Sequence, residues 1–167
     1  MRRAAFFAFV GVLFFVPGNG HELSESEMSD WNNVLAFSAA LLALAFALPM
    51  FAQLVDDHRV LRVSIVPAAG AALSSLANVL EDGLDLGWAF WGFVLGAAII
   101  ELGLLALTVV IARTGHGSRR LLALVPAGTV AAITFYATAG GILMLATWLA
   151  AATVALASPR RTAALSS

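Results

Sequence analysis

The sequence predicts an all-α polytopic transmembrane helical bundle, with five spans plus a short N-terminal apolar helix. Three observations carry this. Of 167 residues, 61% are hydrophobic and only 11% charged, too few to give a soluble domain a polar surface. Apolar runs long enough to cross a hydrocarbon core of about 30 Å recur along the chain. All nine basic residues are Arg, and alternating spans place every one of them at the same face.

The first run, Ala4–Val16, is short. Arg2 and Arg3 precede it and Pro17-Gly18-Asn19-Gly20 follows, so residues 1–20 read either as a sixth span or as a secretory signal peptide cleaved at Gly18-x-Gly20. Residues 21–30 form an acidic exterior loop with Glu22, Glu25, Glu27 and Asp30. His21-Glu22-x-x-Glu25 there reads as a solvated loop with a capping box, Ser24-x-x-Glu27.

Residues 31–157 form the bundle. Trp31–Val55 spans, with Pro49 expected to kink it. Val63–Leu80 spans and is expected to stay helical to Leu86, with Pro67 in an early turn where it is tolerated. Trp88–Ala112 spans. Leu121–Ala157 carries no charge; as one helix it would be about 55 Å long, so it must turn. Ala139-Gly140-Gly141 is the place, giving spans Leu121–Thr138 and Gly141–Ala157. Residues 158–167 form a cytoplasmic tail.

Positive charge in short loops marks the cytoplasmic side. The expectation is a multi-pass protein of the plasma (inner) membrane, with its C-terminus cytoplasmic and acidic loops 18–30 and 81–87 exterior. Trp31, Trp88, Trp91 and Tyr136 fall near the outer boundary, where aromatic belts form.

Glu101 is the first candidate for chemistry. It lies about 20 Å from the outer end of its helix. A carboxylate at that depth is costly unless neutralised or paired, and no Arg or His lies inside any span. Glu101 is therefore expected to be protonated, to bind a cation or to face water; hydrogen bonding to a nearby Ser or Thr as helix glue is the structural alternative. Gly92, Gly96 and Gly103 lie roughly opposite it, and Gly92-x-x-x-Gly96 lets another helix approach closely. That helix is expected to be central.

A second feature runs along the preceding helix. Pro67, Gly70, Ala71, Ser74, Asn78, Glu81 and Asp85 share one arc by helical spacing, with Ser75 and Asp82 beside it. The stripe reads as a polar crevice open to the exterior, lined by Ser74, Asn78, Glu81, Asp82 and Asp85. Ser74 or Ser75 is expected at the level of Glu101.

Several classes fall away. Without Lys there is no Schiff base, and without Cys no thiolate nucleophile or iron–sulfur cluster. No span carries His, which excludes bis-His haem. No Walker A or Gly-x-Ser-x-Gly motif is present, and no basic face suits nucleic acid. No cofactor or metal site is expected; Glu81-Asp82-Gly83-x-Asp85 matches no specific cation motif. The expected partners are the lipid bilayer and a membrane protein or second copy through the Gly92/Gly96 face. Three functions remain open: a proton-, cation- or small-ligand-handling transport module using Glu101, an accessory or scaffold subunit without chemistry, and an intramembrane enzyme on a lipid-like substrate.

Overall fold

The computed structural model describes residues 1–19, 27–115, 117–135 and 139–157. The described residues are helical, with no strand. The order is α1 (Arg2–Asn19), α2 (Glu27–Val55), α3 (His58–Asn78), a π turn (Val79–Gly83), a 3-10 turn (Gly87–Ala89), α4 (Phe90–Thr114), a 3-10 segment (Gly117–Ala123), α5 (Leu124–Thr134) and α6 (Gly141–Ala157). Three stretches are long and apolar enough to cross a membrane: Asn33–Val55, His58–Gly83 and Gly87–Thr114. Gly141–Ala157 is a shorter apolar helix.

Each helix packs on its chain neighbours, and α6 returns to pack along α1, closing a ring. The largest buried side chains fill it: Phe7 of α1, Phe51 and Leu44 of α2, Leu104 and Leu107 of α4, and Trp148 of α6. Phe7, Phe51 and Trp148 form a three-ring knot, with centroids 5.6 to 6.4 Å apart. A second aromatic row runs from Phe14 through Phe37 to Phe93, tying α1, α2 and α4. Edge-on and tilted rings are the arrangement their quadrupoles favour.

Several element boundaries depart from expectation. α3 begins at His58, capped by Asp57, whose Oδ1 accepts from Arg59 N at 2.7 Å. Pro67 therefore sits in the helix interior rather than in an early turn. The expected continuation to Leu86 fails: the chain widens into the π turn and then breaks at Asp85, whose φ is 54°. α5 is only 11 residues long, and the segment before it is 3-10 rather than α. Its end falls before Thr138, because Ala139 N and Gly140 N both turn back to Phe135 O. A Cβ on Gly140 would strike Ala132 O, so the turn needs glycine where it was expected. α6 has the expected bounds.

α3 and α4 approach most closely. A Cβ on Gly70 would lie 2.8 Å from Gly96 O and 2.9 Å from Ile100 N. One on Gly103 would lie 2.7 Å from Pro67 Cδ, and one on Gly96 would overlap Ser74 Oγ and lie 2.8 Å from Ser74 N. The bare glycine backbones thus accept the proline ring and the opposing main chain. Gly92 is looser, with Ala77 Cβ at 3.3 Å. The partner of this glycine face is α3 of the same chain.

α4 is not enclosed on all sides, contrary to expectation. Gly96, Ile100, Gly103, Leu104, Leu107 and Ile111 form its buried face, while Leu95, Leu102, Leu105 and Val109 are exposed.

Gly96→Leu and Gly103→Leu should each lower stability by about 1–3 kcal/mol or more through overpacking. Gly92→Ala should cost little, and Gly87→Ala nothing, since no atom lies within 4 Å of its Cβ position. Thermal unfolding of the purified variants in detergent checks the ranking.

Candidate functional site

The stripe on α3 is assembled, but as packing rather than as a crevice. Pro67, Gly70 and Ala71 are buried, as are Ser74, Ser75 and Asn78. Ser74 Oγ donates to Phe93 O of α4 across a long 3.4 Å. Ser75 Oγ donates to Ser38 O of α2 at 2.7 Å. Asn78 Nδ2 donates to Ser38 Oγ at 3.0 Å and to Val34 O at 3.3 Å. The polar side chains thus tie α3 to both neighbours, which is the use low-dielectric surroundings favour for them. At the end of α3 Glu81 is half-buried, and Asp82 and Asp85 are exposed. They stand on the π turn and the break after it.

Ser38 is the centre of this clasp, and sequence reasoning missed it. A signal was available: it is the only polar residue between Asn33 and Gln53.

Glu101 lies apart from the stripe. Gly103 meets Pro67 and Ile100 meets Gly70, so Glu101 stands between those levels of α3. Ser74 and Ser75 are further along, opposite Gly96 and the helix before it. By helical spacing Glu101 projects away from the glycine face that meets α3. It is half-buried on a flank of α4, with Leu104 buried on one side and Ala98 and Leu105 exposed on the other. Among the described residues it has no hydrogen-bond or ion-pair partner, so the Ser/Thr glue is not formed. Thr108, two turns on, donates instead to Leu104 O of its own helix at 2.8 Å.

The other buried polar side chains are likewise engaged. Ser64 Oγ donates to Leu61 O and Thr129 Oγ1 to Val125 O. Trp148 Nε1 alone, among the described residues, is buried without a partner; its ring is held between Phe7 and Phe51.

Arg3, Arg119 and Arg120 gather at one end of the ring. Arg3 Nη2 donates to Gln53 Oε1 at 2.8 Å, joining α1 to the end of α2. Arg119 Nη1 donates to Val55 O at 3.3 Å, and its Nη2 lies 3.9 Å from Asp56. Arg120 Nε donates to Gly115 O at 2.8 Å. Asp56 has φ 61°, the strained turn that opens α3. Trp88 and Trp91 are exposed at the other end. His21, Glu22, Glu25, His116, Tyr136, Arg160 and Arg161 lie outside the described residues. Among those described, no group of three or more His, Asp or Glu could hold a metal ion.

No known family, curated protein or solved structure matches the chain.

Asn78→Leu should lower stability by about 0.6 kcal/mol, and by no more than about 1.7, the range for such bonds between membrane helices. Ser75→Ala should cost less. Combining Asn78→Leu with Ser38→Ala should give less than the sum, because their side chains share one hydrogen bond, whereas Ser75→Ala and Ser38→Ala should add, because Ser75 donates to the Ser38 carbonyl that alanine keeps. Denaturant titration of the reconstituted protein measures the coupling.

Proposed function

We propose that the protein is a six-span membrane subunit that works by association and carries out no reaction of its own. One observation carries this reading: the buried Ser, Thr and Asn side chains of the described bundle are committed to hydrogen bonds inside the chain. A transport path needs polar groups free to bind a passing ion, and Ser74, Ser75 and Asn78 are instead bonded to α2 and α4. An enzyme needs a second polar group within about 3 Å of Glu101, and Glu101 has none among the described residues. Its flank of α4 is left for a neighbour in the bilayer.

The threading belongs to the same proposal. α1 stays with the mature chain and crosses the membrane. In support, Phe7 is fully buried against Phe51 and Trp148, and a Cβ on Gly11 would lie 3.2 Å from Leu145 Cα. Cleavage after residue 20 would open this core. From Leu121 the rest of the 3-10 segment and α5 reach about 22 Å before the turn at Gly140, a length that needs local thinning of the bilayer. α6 at about 25 Å needs modest local thinning. The end bearing Arg3, Arg119 and Arg120 faces the cytoplasm of a plasma membrane, and the α3–α4 turn with Glu81, Asp82 and Asp85 faces outward.

Glu101→Gln should leave proton and cation flux into proteoliposomes at the wild-type level. A flux that the wild type supports and Glu101→Gln abolishes would overturn the assembly reading in favour of transport. The intact mass of the membrane-extracted chain should include residues 1–20. Reporters fused at 116–118 should report cytoplasm and those at 84–87 the exterior.

A further inference from the structure

Glu101 presents a chemical demand that the described residues of its own chain do not meet. Ionisable groups in membrane helices face a protein interior or water. Glu101 faces neither fully: it sits at the border between the buried side of α4 and the exposed residues Ala98 and Leu105. A second polypeptide would supply the missing side of that interior.

We propose that this flank of α4 docks on the same flank of a second copy of the chain, the two Glu101 carboxyls meeting across a two-fold axis. The proposal rests on the assembly reading above and names its partner. A neutral carboxyl carries one O–H donor and a carbonyl acceptor, so it complements a copy of itself. A two-fold axis brings each interface residue to its own counterpart or close to it. A second copy has no Arg or His at this depth to offer, and the matching acid is the polar group at the right level. Ala98, three residues before Glu101, is small and exposed, which lets the two backbones come close. Leu105, 49% exposed, extends the contact toward the basic end. The glycine face plays no part, because α3 already covers it.

The chain has no Cys, so single cysteines report without background. In native membranes, Ala98→Cys and Leu105→Cys should form disulfide-linked dimers on oxidation. Ala106→Cys, at the same depth but turned about 100° away, and Ile65→Cys, exposed on α3, should not. Glu101→Leu should raise the monomer–dimer dissociation constant by about tenfold, the scale of one good interhelical hydrogen bond. Glu101→Gln should stay near wild type, because an amide also both donates and accepts. A monomeric wild type in single-molecule photobleaching, equal crosslinking at Ala106, or a dimer indifferent to Glu101→Leu would overturn the proposal. A monomeric chain held to a different polypeptide in a Glu101-dependent way would overturn the second copy but leave the assembly reading. Loss of flux in Glu101→Gln would overturn the assembly reading, while the crosslinking result stands on its own.

Discussion

The contact between α3 and α4 sets the geometry of everything else in the bundle. Lipid tails are as apolar as the side chains they would replace, so helices in a bilayer gain little from burying hydrocarbon. They gain from close approach, and close approach needs bare backbone. Gly70 against Gly96 and Ile100, and Gly103 against Pro67, supply it. Pro67 in a helix interior would ordinarily weaken α3, since it removes a backbone donor and crowds the preceding turn. Here its ring fills the space that Gly103 leaves open. The fit admits one register, and that register turns Glu101 away from α3.

The same packing accounts for what the stripe of polar residues touches. Once α3 lies this close to α4, Ser74 faces main chain rather than a channel, and its hydroxyl reaches Phe93 O. Ser75 and Asn78 lie toward α2 and find Ser38. A buried polar group left without a partner is costly in low dielectric, so closeness and hydrogen bonding are one constraint. Glu101, on the flank that receives no helix this close, is the acid that this constraint leaves over.

The helical class, the turn at Gly140 and the bounds of α6 were legible because they rest on composition, length and glycine placement. The small-residue face of α4 was legible too, as was the solitary position of Glu101. What it met was not. Helical periodicity gives the direction of a side chain on its own helix but says nothing of which helix stands opposite. For that reason Ser74 and Asn78 read equally well as crevice and as glue, and the level of Glu101 was set by counting from helix ends that proved to lie elsewhere. α3 starts five residues before Val63 because Asp57 caps it, and α4 starts after a 3-10 turn. Trp148 escaped notice because an indole in an apolar run looks like any other large hydrophobe.

The first helix shows the limit most clearly. Two arginines, an apolar stretch and small residues satisfy the insertion requirements of a signal peptide and of a first span alike, so local sequence does not separate them. Packing does. Phe7 touches rings from α2 and α6, Gly11 permits α6 to approach, and Arg3 bonds the end of α2. Removing α1 would uncover matched surfaces on helices from both ends of the chain. The complementarity also closes the ring. With α1 in place α6 has a neighbour on each side, and the widest side chain of the core, Trp148, is sealed from lipid. Without it, the two aromatic rings that hold Trp148 would be reduced to one.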